Sequence, residues 1–152
     1  METYFPPIDS PFSGKRVLHK QVESEPPKGG EFFSYYSDIE PKWLSTAINK
    51  VRSLSRLPRN WDGYYSEPIP IEAINEAIEI IKGIDLEPGI FPTGLKSVQL
   101  EYYSNNNDYL EIEVYGPNRI EILSLKSDGI EQLSTTIEDR QDLIPIIQMH
   151  FS

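Results

Sequence analysis

The stretch Ser97-Val98-Gln99-Leu100-Glu101-Tyr102-Tyr103-Ser104, Asn105-Asn106-Asn107, Asp108-Tyr109-Leu110-Glu111-Ile112-Glu113-Val114-Tyr115 decides the fold. Its apolar residues recur at every second position: Val98, Leu100 and Tyr102, then Leu110, Ile112 and Val114. A period of two predicts strands with one buried face. The asparagine turn between them is too short for a crossover, so the strands pair antiparallel. The pattern continues downstream. Gly116-Pro117-Asn118 turns the chain, Arg119–Lys126 is a third strand, Ser127-Asp128-Gly129 is a hairpin turn, and Ile130–Ile137 is a fourth strand.

Turn positions also set an expected register. With Ser104–Asp108 as the first loop, Tyr103 faces Tyr109, Glu101 faces Glu111 and Gln99 faces Glu113. With Gly116–Asn118 as the second, Tyr115 faces Arg119 and Glu113 faces Glu121. The outward row then reads Gln99, Glu101, Tyr103, Tyr109, Glu111, Glu113, Tyr115, Arg119 and Glu121. Two of these cross-strand pairs set Glu against Glu, each destabilising by a few tenths to about 1 kcal/mol. Folding alone supplies no reason for them. Three readings compete. The first is a solvated face whose repulsion salt screens. The second is a docking face for a basic partner, with tyrosines supplying contact area. The third is catalytic or metal-binding carboxylates. Glu111 and Glu113 stand about 6.5–7 Å apart by strand rise, near the spacing of paired carboxylates in glycoside hydrolysis. That spacing is also common to every polar strand face.

Upstream, the period lengthens to that of a helix. Asp38 is a candidate N-cap with Pro41 in the first turn, and Trp43, Leu44, Ala47, Ile48, Val51 and Leu54 form one stripe ending at Pro58. Its outer face is basic: Lys42, Lys50, Arg52 and Arg56. A second helix follows Pro70, with Ile71, Ile74, Ala77, Ile78 and Ile81 inward, Glu72, Glu76 and Glu79 outward, and Gly83 as its stop. Residues 84–95 read as a Pro/Gly loop. A last helix over Asp142–His150 carries Leu143, Ile146 and Ile147, and tolerates Pro145 only in its first turn. The expected fold is α+β: two helices, a four-stranded antiparallel meander and a C-terminal helix, with the helices on one face of the sheet.

Residues 1–37 hold Pro6, Pro7, Pro11, Pro26 and Pro27 with Gly14, Gly29 and Gly30. They read as an arm or linker ahead of a single domain over residues 38–152. The arm's aromatics, Tyr4, Phe5, Phe12, Phe32, Phe33, Tyr35 and Tyr36, suggest that parts of it dock on the domain or on a partner.

The chain of 152 residues has no cysteine, which excludes a disulfide scaffold, a cysteine nucleophile and thiolate metal sites. Its 38% hydrophobic content is low, consistent with an unpacked segment or an unusually polar face. The formal charge of −10 is uneven: residues 1–60 carry 9 bases and 7 acids, residues 61–152 carry 5 bases and 17 acids. Such asymmetry suggests an interaction surface and argues against wrapping duplex DNA, which needs clustered Lys and Arg. Lys15, Arg16, His19 and Lys20 form too short a basic cluster to change that. No membrane span or lipidation signal is present. The start at Met1-Glu2-Thr3-Tyr4-Phe5 lacks a signal peptide's basic and apolar regions, so a cytoplasmic location is expected.

Leu57-Pro58-Arg59-Asn60-Trp61-Asp62-Gly63-Tyr64 is the most distinctive string. Trp61 is expected to plug the gap between helices and sheet. Asn60 and Asp62 are expected to close turns on backbone amides, and Gly63 to supply a positive φ. A second role makes Trp61 and Tyr64 aromatic anchors in a binding site. Together with Val98-Gln99-Leu100-Glu101-Tyr102 and Tyr109-Leu110-Glu111-Ile112-Glu113, the string resembles a group of small acidic bacterial proteins. That group carries Asn-Trp-Asp-Gly-Tyr-Gly-Ala, a short helix, then a Gln-Leu-Glu-Trp and Leu-Glu-Ile-Glu hairpin. The resemblance covers roughly residues 55–125. Tyr65-Ser66 here replaces Gly-Ala, and Tyr102 replaces Trp. It implies a bacterial or phage accessory protein of a mobile or defence-related locus, and carries over no catalytic residue.

No G-x-G-x-x-G, Walker loop or G-x-S-x-G elbow occurs. His19 and His150 sit in no H-E-x-x-H motif and beside no nucleophile, so both read as ordinary. No catalytic residue, metal site or cofactor is expected. The expected function is non-enzymatic: an acidic antitoxin, immunity protein or inhibitor that neutralises a basic, nucleic-acid-handling protein, without binding nucleic acid or membrane itself. Its expected contact residues are Glu101, Tyr103, Tyr109, Glu111, Glu113, Tyr115 and Glu121, with Trp61 and Tyr64. The alternatives are a phage mimic of nucleic-acid charge that inhibits a defence nuclease and also uses Glu72, Glu76 and Glu79, a carboxylate enzyme acting on a glycan or with a metal, and a structural subunit.

Overall fold

The computed structural model describes residues 40–151. The arm over residues 1–37, with its aromatics and basic cluster, and the candidate cap Asp38 lie outside the described residues. The order of elements is α1 (Lys42–Leu54), α2 (Ile71–Gly83), β1 (Gly89–Pro92), β2 (Val98–Tyr103), β3 (Tyr109–Gly116), β4 (Arg119–Leu125), β5 (Glu131–Ile137), a short 3-10 turn (Arg140–Asp142) and α3 (Leu143–Phe151). The architecture is α+β. The sheet is an antiparallel meander in the order β1-β2-β3-β4-β5.

It therefore has five strands, where the sequence suggested four. The added strand, Gly89–Pro92, lies in the segment read as a Pro/Gly loop. It pairs Ile90 with Leu100 and Pro92 with Val98. A proline is acceptable there because β1 is an edge, where an N–H is dispensable.

Prolines also start the first two helices. Pro41 and Pro70 hold the N-cap positions in extended backbone, with no side-chain cap bond. Their carbonyls accept from Leu44 N and Ala73 N, each at 3.1 Å. Pro145 is the third residue of α3, inside the first turn, where helix N–H groups have no intrahelical partner.

The buried stripe of α1 is Leu44, Ala47, Val51 and Leu54, with Trp43 and Ile48 at its margin. In α2 the stripe is wider than the period suggested, because Ala73 and Ile80 are also buried. Ile71, expected inward, is 55% exposed at the helix start. These residues meet the inward sheet row, Ile90, Val98, Leu100, Tyr102, Leu110, Ile112, Val114, Ile120 and Ile122, and α3 adds Leu143 and Ile147. Each fully buried Ile, Leu or Val contributes about 1.5–3 kcal/mol.

Glu76 corrects the reading of the outer face of α2. It is buried, and Arg140 Nη1 pairs with its Oε2 at 3.0 Å. Acid therefore does not run along α2 at every turn, as a mimic of nucleic-acid phosphates using Glu72, Glu76 and Glu79 would require.

Candidate functional site

The register places the candidate residues on one surface. Tyr103 pairs with Tyr109, Glu101 with Glu111 and Gln99 with Glu113. Glu113 pairs with Glu121. One expected pair fails. A bulge between Val114 and Gly116 makes Gly116 the partner of Arg119, leaving Tyr115 as the extra residue. A bulge re-aims side chains, and here the Arg119 guanidinium lies 3.9 Å from the Tyr115 ring centroid. The two residues stack where the simple register would have set them side by side.

Every outward side chain of β2 to β4, from Gln99 to Leu125, is at least partly exposed. Arg119 is the only base within the five strands, against Glu101, Glu111, Glu113, Glu121 and Glu131. Each carboxylate along the centre of the face holds a donor. Gln99 Nε2 donates to Glu101 at 2.7 Å, Tyr109 OH to Glu111 at 2.6 Å, Ser97 Oγ to Glu113 at 2.6 Å and Arg119 Nη2 to Glu121 at 2.7 Å. Ser97 is fully buried and hydrogen-bonds Thr93, so the β1–β2 loop holds Glu113 in place. Period-two reading assigned Ser97 to a strand and carried no signal for this support.

The tyrosines respond to their acidic neighbours. Burial, followed by the hydrogen bond to Glu111 and the charges of Glu111 and Glu101, pushes the Tyr109 hydroxyl well above the ordinary tyrosine value. The Tyr115 hydroxyl is pushed up to about 12 by burial, then by Glu113 and Glu121. Both remain protonated donors at neutral pH. A shallow groove of about 280 Å³ opens between Glu111, Glu113, Glu121 and Leu123 on one side and Ser134 and Thr136 on the other. Its wall on β5 was missed in the sequence because Ser and Thr carry no specific signal. Among the described residues, no three His, Asp or Glu side chains are placed to hold a metal ion.

Trp61 and Tyr64 do not join this surface by any strand pairing; they sit in the loop between α1 and α2. The loop is built as its polar residues suggested. Asp62 Oδ1 accepts from Tyr64 N at 2.9 Å, and Asn60 Oδ1 accepts from Tyr65 N at 2.7 Å. Gly63 has φ 78°, and Asn60 and Tyr65 share the left-handed region at 61° and 64°. Ser66 Oγ donates to Asp62 Oδ2. This bond, the largest cause, together with the Tyr64 amide, holds the Asp62 carboxyl below its ordinary value. Trp61 is only half-buried and stands outside the core, so it does not plug the gap as expected; Trp43 packs against the core instead. Tyr64 and Tyr65 are more than four-fifths exposed.

His150 has a defined environment at the far end of the sheet. Its Nδ1 lies 3.1 Å from Ser124 Oγ, and Asp108 pairs with Lys126 at 3.1 Å nearby. Burial pushes the imidazole below its ordinary value, against the pull of Asp108. The Ser-His-Asp composition is not a catalytic triad. Ser124 is buried, His150 Nε2 is buried with no hydrogen-bond partner, and the Asp108 carboxylate is engaged by Lys126 and Ser127 N. These groups fasten α3 to β4.

Comparison with known protein families, curated proteins and solved structures returns no match to this chain. No helix among the described residues is long and apolar enough to cross a membrane.

Proposed function

We propose that this protein is a non-enzymatic, acidic partner-binding protein of the antitoxin, immunity or inhibitor type. It acts in the cytoplasm and neutralises a basic, nucleic-acid-handling protein of a bacterial or phage conflict system. The supporting observation is the open sheet face itself, where Glu101 opposes Glu111 and Glu113 opposes Glu121 among three tyrosines. Like charges placed opposite one another cost stability in the free protein. A cationic partner reverses that cost, and the field of the face speeds its approach. The burial of Glu76 favours this reading over a phosphate mimic that runs along α2.

The test uses the full chain with the protein that co-purifies with it from its host. Replacing Glu101, Glu111 and Glu113 by Gln is expected to weaken binding at least about tenfold at low salt and to flatten its salt dependence, with the fold intact. Unchanged affinity would remove the sheet face from the reading.

A further inference from the structure

We infer that the outer face carries an unfilled arginine site, formed by Tyr103, Tyr109, Glu101 and Glu111, which receives a guanidinium from the basic partner. This inference rests on the docking reading above and names the group that the face recognises.

The protein contains its own template for such a site. At one end of the face, the Arg119 guanidinium lies 3.9 Å over the Tyr115 ring and donates to Glu121 at 2.7 Å. The Tyr115 hydroxyl is 3.5 Å from the same carboxylate, and Glu113 stands opposite Glu121 on the ladder. One ring and one carboxylate hold the guanidinium, and the charge of Glu113 stands beside them.

The other end repeats the parts without the cation. Glu101 stands opposite Glu111. The Tyr109 hydroxyl donates to Glu111 at 2.6 Å. The Tyr103 ring lies 5.3 Å from the Tyr109 ring, tilted by 54°, and is 55% exposed. The donor to Glu101 is the neutral Gln99 amide and the donor to Glu111 the neutral Tyr109 hydroxyl, so neither hydrogen bond brings a cation to the pair. Among the described residues, no strand supplies a second base.

The chemistry of this cluster selects arginine over lysine. A guanidinium is planar and forked, so it can bridge two carboxylates while one face stacks on a tyrosine. An ammonium is a compact, strongly hydrated charge that gains the Coulomb attraction but little of the stacking or the fork. The groove that begins at Glu111 and passes Leu123 gives the aliphatic stem of the side chain an apolar wall.

The test titrates the full, nitrogen-15-labelled chain with acetylated, amidated tetra-arginine and tetra-lysine peptides of equal charge. Tetra-arginine is expected to bind at least about fivefold more tightly, from stacking and fork geometry, with amide shifts centred on Glu101, Tyr103, Tyr109 and Glu111. Tyr109→Leu, checked for folding by thermal melting, is expected to erase that advantage, bringing the two peptides to equal affinity. Equal affinities in the unaltered chain, or shifts centred elsewhere, overturn the arginine site and leave the acidic docking face standing. Silence of this face toward both peptides overturns both readings.

Discussion

The Arg140 guanidinium reaches across from the turn before α3 to the Glu76 carboxylate in the middle of α2, at 3.0 Å. Only 8% of the Glu76 side chain is exposed, against 30% for Arg140. The pair is therefore asymmetric. Removing the arginine strands a buried charge, while removing the glutamate leaves a guanidinium that can turn to water. Arg140→Met is expected to destabilise the protein by about 2–3 kcal/mol and Glu76→Leu by clearly less, with the double variant recovering most of the loss. Urea denaturation of the three variants measures this, and equal losses in both single variants would contradict the asymmetry.

His150 sets a pH dependence whose sign follows from burial. Its folded pKa lies below the ordinary value. The unfolded chain therefore takes up a proton first as pH falls through about 6.5. The stability this residue contributes is present above that pH and is lost on acidification toward the folded value. Asp62 and Asp108, both held low in the folded state, lose their contributions further down, below about pH 4. Denaturation midpoints at pH 7.5, 5.5 and 3.5 are expected to fall in two stages. His150→Gln should remove the first stage and keep the second.

The parts of this structure that sequence exposes are those governed by near neighbours. Turn residues at Asn105–Asn107 suffice to set Glu101 opposite Glu111, because a short loop leaves one register that keeps Leu100 and Ile112 inward. What escaped depends on distant partners or on exceptions to a period. Glu76 reads as surface because Arg140 stands 64 residues away in the chain. The strand Gly89–Pro92 is four residues long with Gly and Pro at its ends, too short to show alternation. The bulge at Tyr115 breaks the period by one residue and converts a side-by-side pair into a stack. The outward glutamates were legible as positions; the template made by Arg119 on Tyr115 was not.

Tyr65 holds a conformation suited to glycine. Its φ is 64° and its ring is 86% exposed, so no burial offsets the backbone cost. The left-handed region costs a non-glycine residue about 1–2 kcal/mol, while glycine adds unfolded-state entropy of somewhat smaller size. Tyr65→Gly is expected to stabilise the protein by about 0.5 kcal/mol on balance. Gly63→Ala, at φ 78°, is expected to destabilise it by about 1 kcal/mol. Thermal melts of both variants check the pair of signs. A destabilised Tyr65→Gly would mean that the entropy cost of glycine exceeds the relief of the left-handed backbone.

The opposed glutamates make a claim that can be tested without any partner. If Glu101 and Glu111 repel across the ladder, Glu101→Gln should raise stability by a few tenths to about 1 kcal/mol at low salt. The Gln99 amide keeps an acceptor, because glutamine still offers an oxygen in place of the carboxylate. The gain should shrink in 0.5 M salt, where charges at this separation are strongly screened. The same substitution removes one of the two charges proposed to bridge a guanidinium, so it should weaken tetra-arginine binding while strengthening the fold. Opposite signs in the two measurements are the signature of residues kept for binding at a cost to stability. Loss of stability on neutralisation, at low salt, would instead mark Glu101 as a structural member of the sheet.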